Sequence, residues 1–257
     1  MKGGPITQKT GGHGSSTIKE ITPIAPVRFE WKIQSKAIIY MKDIEGIKYY
    51  PPTEEKINII SHAVGFLLSI VALVLLFTHA NQHGDVWHGI SFYIFGASLV
   101  VLYAVSTFYH SAKKPELRNR LRVIDHAAIY VLIAGTYTPF ALVTLKGVIG
   151  WAIFGTSWGL ALAGIILKLF FTGKYQLFST LMYVFMGWII VFAIKPLMNN
   201  LSSDGLLWLL AGGMAYTIGA ILYSIKKIKF GHAIFHMLVL IGSGCHFVSV
   251  FLYVLPG

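Results

Sequence analysis

Residues 57–77 read INIISHAVGFLLSIVALVLLF, a run of 21 residues without a single Asp, Glu, Lys or Arg. A helix needs about 20 mostly apolar residues to cross the hydrocarbon core of a bilayer. Strands of soluble sheets are usually about 4–8 residues long, so the length of the run excludes that reading. Six further stretches qualify in the same way: 87–109, 124–145, 148–171, 177–198, 206–225 and 233–255. The connections between them are short, so neighbouring spans run antiparallel and pack as one bundle. The sequence predicts an all-α, polytopic membrane protein built as a bundle of seven transmembrane helices.

Composition agrees. Charged residues make up 12% of the chain, about half the share of an ordinary soluble domain. That shortage of polar surface excludes a soluble globular enzyme, a disordered chain and a nucleic-acid-binding domain. The expected partners are membrane lipids, and the expected location is the cell membrane. The lone cysteine, Cys245, excludes a disulfide framework and any multi-cysteine zinc site.

Two regions are expected. Residues 1–56 form an N-terminal region, flexible and rich in Gly, Ser and Thr to about Ser16. Its amphipathic part, residues 27–50, reads as a segment lying at the membrane surface. Residues 57–257 form the seven-helix domain. Of the 21 Lys and Arg residues, 19 fall on one side of the predicted spans, leaving only Lys146 and Lys195 on the other. By the positive-inside rule the N-terminus is cytoplasmic and the C-terminus external.

Ionisable groups inside spans are costly, so each is a candidate functional residue. Three clusters stand out: Ser106-Thr-Phe-Tyr-His110 closing span two, Asp125-His126 opening span three, and His232-Ala-Ile-Phe-His236 opening span seven. Residues four apart share a helix face, and two histidines so spaced can hold one metal ion. The alternating direction of the spans brings all three clusters to one depth. His110, His232 and His236, with one open position, make the ligand set of a catalytic zinc site. Asp125 and Ser106 then stand as groups acting on a water beside the ion.

Simpler readings exist for each residue. The two span-seven histidines could face headgroups, and His110 could contact carbonyls at its helix end. Asp125 could pair with Arg122, and Ser106 could bond its own backbone one turn back. His246 lies about 15 Å beyond His236 along a helix and cannot share its ion. His126 points about 100° away from Asp125. Asn58, Ser61 and His62, following Glu54 and Glu55, are explained at least as well by helix capping. Pro139 is expected to kink span three near Tyr137 and Thr138. Gly155 and Gly159 give a weak signal for close helix packing.

Taken in order, Glu54-Glu55-x-x-Asn58 to His62, Ser106-x-x-x-His110, the stretch from Asp125 to Pro139, and His232-x-x-x-His236 resemble the haemolysin III proteins. These belong with the progestin and adiponectin receptor family. The resemblance runs from about Glu54 to Leu255. It implies seven helices with a cytoplasmic N-terminus and a zinc ion on the histidines matching His110, His232 and His236. It also implies an acidic residue beside the zinc-bound water at Asp125 and a nearby hydroxyl at Ser106. The family is grouped with alkaline ceramidases, which implies hydrolysis of a lipid amide or ester, with Asp125 and Ser106 catalytic. Bacterial members are named for haemolytic activity, so a cytolysin or channel, or a receptor-like lipid sensor with structural zinc, are the alternatives. The apolar external halves of the spans argue against a channel.

Overall fold

A computed structural model describes residues 49–171 and 176–255. The N-terminal flexible stretch and surface segment expected from the sequence lie outside these residues, apart from Tyr49 and Tyr50. Seven helical segments are long and apolar enough to cross a membrane: Pro52–His83, Val86–Ser111, Pro115–Leu145, Gly147–Phe170, Leu177–Asn200, Ser203–Ser224 and Gly231–Val254. Those are the seven expected spans, and their ends move for reasons visible in the packing.

The first helix, α1 (Pro52–His83), starts on a proline, which fits the first turn because its missing N–H has no partner there. It therefore begins before Glu54, so Asn58 and His62 sit inside the helix rather than at its cap. Both are buried, and no side chain caps this end; the capping reading of these residues is thereby corrected. The outward face of α1 is apolar and exposed, with Ile60, Leu67 and Val71 all more than half accessible. In water that stripe would be an association surface; on a bundle of spans it is the lipid face.

Helix α2 (Val86–Ser111) is capped by Asp85, which accepts the backbone N–H groups of Trp87 and His88. Helix α3 (Pro115–Pro139) starts well before residue 124 and draws Arg118, Arg120 and Arg122 into its first turns rather than leaving them in a loop. Its apolar stretch is the most enclosed of the seven, making α3 the central helix. Beyond Pro139 the chain continues as π turns over Phe140–Leu145. Proline cannot donate to the carbonyl four residues back, so the regular ladder is interrupted there.

Helix α4 (Gly147–Phe171) follows at once. Here Gly155 and Gly159 face open space, with nothing within 4 Å of an added Cβ. The expected close packing at that pair is thus corrected. Close approach occurs instead between α7 (Ser203–Ser224) and α8 (Gly231–Ser249). There a Cβ on Gly212 would lie 3.0 Å from the Gly242 carbonyl, and one on Gly242 would lie 3.1 Å from the Gly212 carbonyl.

The fifth span is not one continuous helix. It comprises α5 (Gln176–Gly187), a 3-10 segment (Ile189–Ala193) and α6 (Ile194–Asn200). Pro196 lacks the N–H that would bond the Phe192 carbonyl, so regular winding fails just before it. Bare backbone is costly inside a bilayer. Tyr137 repairs the break: its hydroxyl donates to the Gly187 carbonyl at 2.8 Å and accepts the Ile190 N–H at 3.2 Å.

Candidate metal centre

The last turn of α2 and the first two turns of α8 meet at one end of the bundle. His110 projects from α2, and His232 and His236 project from one face of α8, as the spacing of four requires. All three are buried. The Nε2 atoms of His110 and His232 are 3.1 Å apart, and those of His232 and His236 are 3.0 Å apart. Each of the three offers a ring nitrogen within 4.8 Å of the others.

That convergence is poor hydrogen bonding. A neutral ring nitrogen carries either one N–H or one lone pair, so His232 Nε2 cannot bond both neighbours at full strength. Three lone pairs aimed at a cation remove the conflict. Zinc–nitrogen bonds of about 2.0–2.1 Å in a tetrahedral site would set the nitrogens about 3.4 Å apart. The observed spacing fits that shell after a small expansion, so the residues present suit the expected ion. The chemistry of the donor set does not by itself choose among transition metals.

Charged groups of α1 hold both histidine-bearing helices in place. Glu54 accepts the backbone N–H of His232 at 3.2 Å. It serves the start of α8, where the preceding residue, Phe230, is left-handed (φ 57°) and offers no side-chain cap. Glu55 places one carboxylate oxygen 3.4 Å from His110 Nδ1 and pairs the same oxygen with Arg118. Arg118, itself buried, donates to the carbonyls of Tyr109, His110 and Ala112 at 3.2–3.3 Å. It thus closes the end of α2 that carries His110. A carboxylate behind a ligating histidine orients the ring and raises its basicity.

Rings fix the remaining freedom. Tyr50 stacks on His232 with centroids 4.4 Å apart and planes 9° from parallel. Burial holds its phenol well above the ordinary pKa, so it stacks as a neutral ring. His62 stacks on His236 at 3.6 Å and 15°. The sequence reading did not assign Tyr50, His62, Glu54, Glu55 or Arg118 to the site. Two acidic residues heading an apolar span, where such charges are expensive, and the place of Glu54 to His62 in the resemblance were the signals available.

A cavity of about 380 Å³ adjoins the triad, lined at this end by His232, His236, His62, Ser106 and Asp125. Along α3 its wall runs from Asp125 to Phe140, a rise of about 22 Å. Beyond the polar end the wall is mainly apolar, ending near Leu197 and Met198. Asp125 is buried, with Oδ2 3.3 Å from His126 Nδ1; the His126 ring therefore turns back toward it despite their difference in azimuth. The Ser106 hydroxyl is buried without a hydrogen-bond partner. The alternative in which it bonds its own backbone is not what forms; neighbouring Thr107 does so, at 2.7 Å to the Tyr103 carbonyl. His246 stands apart, with Nε2 3.3 Å from the Leu209 carbonyl.

Comparison with known proteins agrees with the resemblance. A family model described as haemolysin-III related matches residues 50–247. Hemolysin-3 of Bacillus cereus is 47% identical over 203 residues, covering 79% of this chain and 93% of that protein. The Hemolysin-3 homolog of Bacillus subtilis (strain 168) is 48% identical over 200 residues, covering 78% and 94%. The human monocyte to macrophage differentiation factor is 31% identical over 212 residues, covering 79% and 87%. The chain belongs to the haemolysin III family, within the progestin and adiponectin receptor superfamily, and is a multi-pass integral membrane protein.

Proposed function

We propose that this haemolysin III family member is a zinc-dependent hydrolase that cleaves a lipid amide or ester from within the bilayer. The observation that carries the reading is the junction of two environments: a triad of convergent histidines, two of them in the cavity wall, adjoins a long, mainly apolar cavity. The apolar length suits an acyl chain, whereas a water-filled pore would need polar walls throughout. His110, His232 and His236 would hold the ion. Zinc bound there would supply Lewis acidity for the scissile carbonyl and lower the pKa of a bound water toward about 7.

The chain's own groups complete the chemistry. Asp125 accepts a proton from the attacking water and returns it to the leaving group. Ser106, with no partner inside the protein, donates to the oxygen that gains charge as the carbonyl becomes tetrahedral. The apolar wall positions the acyl chain and keeps bulk water from the reacting carbon.

Mass analysis of a bilayer lipid extract, before and after incubation with the purified protein, tests the reading. Consumption of an amide or ester, with release of its fatty acid, is expected. Asp125→Asn keeps the side-chain shape but removes the base. It should retain metal and fold while losing hydrolysis by about 10²-fold or more. Unchanged hydrolysis, or loss of metal along with activity, would contradict the role given to Asp125.

A further inference from the structure

The mechanism leaves one wall of the cavity unused. His62 on α1 lines it and is buried; no side chain hydrogen-bonds its ring, whose polar contact within the protein is to the backbone of His236. Asn58, one turn earlier on the same helix and fully enclosed, has neither amide atom bonded. Ser106, on the adjoining α2, adds an unbonded hydroxyl. Protein interiors leave only a few such groups, and each calls for an explanation. Here they gather on two neighbouring helices, with His62 and Ser106 in the cavity wall and Asn58 enclosed one turn from His62.

The way His62 is held points to the explanation. Its ring is fixed by its faces: parallel to His236 at 3.6 Å, and edge-on to Tyr103 at 5.1 Å and 86°. No side chain bonds its polar atoms. A histidine packed only to fill space would leave at least one desolvated nitrogen with nothing in return, where a phenyl ring would serve better. Nor does it belong to the metal-holding group, which comprises His110, His232 and His236.

We infer that His62 is a ligand-contacting residue which, with Ser106 and backed by Asn58, forms a hydrogen-bonding subsite for an uncharged polar group of the bound lipid. Imidazole, hydroxyl and carboxamide each donate and accept, and none carries a fixed charge. That set matches an amide, ester or hydroxyl beside the triad. The inference rests on the reading that the cavity takes a lipid, but not on turnover.

Palmitamide and hexadecane serve as probes, alike in length and different in their polar end. Their binding to the full-length, metal-loaded protein is measured in detergent by native mass spectrometry. The protein should prefer palmitamide roughly tenfold, the effect of a hydrogen bond or two. His62→Phe keeps a ring on His236 but no nitrogen. It should retain metal and bring the preference to within about twofold. If that variant does not fold, His62→Gln, which restores hydrogen bonding, should keep part of the preference. A preference unchanged in His62→Phe, or lost in His62→Gln, overturns the inference, as does loss of metal in step with the preference. Tighter binding of palmitate than of palmitamide, abolished by Lys168→Met on the same cavity, would make the recognised group anionic and also overturn it. A His62-dependent preference without any hydrolysis would refute the proposed function alone. Hydrolysis indifferent to His62 would refute this inference alone.

Discussion

Glu55 and His110 lie 3.4 Å apart, carboxylate oxygen to Nδ1, and the same oxygen also pairs with the buried Arg118. One carboxylate from α1 thereby orients a ring of the histidine triad and neutralises the cation that closes the end of α2. Glu55→Gln keeps the size and removes the charge. Metal affinity should fall about 10–100-fold, the usual effect of losing a partner behind a ligand. The variant should also melt at lower temperature, because Arg118 is left buried with its charge uncompensated. Metal titration and thermal unfolding in detergent read the two effects separately. Unchanged affinity would mean that Glu55 serves Arg118 alone.

Gly242 and Gly155 should respond in opposite ways to alanine. A Cβ on Gly242 would lie 2.5 Å from the Tyr216 ring, whose hydroxyl bonds Ser243 at 2.9 Å. Ser243 in turn accepts from Tyr103 at 2.8 Å, so a displaced ring disturbs a bridge from α7 through α8 to α2. Gly242→Ala should cost about 1–3 kcal/mol as overpacking. Gly155→Ala, with nothing within 4 Å of its Cβ, should be neutral or mildly stabilising, since alanine winds a helix better than glycine. Equal melting temperatures for the two variants would contradict the packing described here.

The distribution of basic residues predicts which side the triad faces. With 19 of 21 Lys and Arg on the side of the N-terminus, that side is expected to be cytoplasmic. A reporter fused after Gly257 should be active only in its external form. Cytoplasmic activity of that fusion would reverse the orientation and place the triad at the opposite face.

The fold was legible because the bilayer demands something simple: apolar length, seven times over. The triad was legible for a related reason. His232 and His236 are four apart on one helix, and strict alternation of spans carries His110 to the same depth without any knowledge of packing. The support around it was not. Glu54 reaches the backbone of His232 across 178 positions, and Glu55 meets Arg118 across 63; no local spacing encodes either contact. His62 looked like part of a helix end because the start of α1 was placed five residues too late, at Ile57 rather than Pro52. The break in the fifth span had a visible cause in Pro196, but its repair by Tyr137 depends on which helix α3 happens to pack against.

Elemental analysis of the detergent-purified, full-length protein decides whether the triad holds a metal ion. Close to one zinc per chain is expected, most of it lost in His110→Ala, His232→Ala and His236→Ala and retained in His246→Ala. A protein that stays free of metal after exposure to zinc, or one in which His246→Ala loses as much as the triad variants, would contradict it.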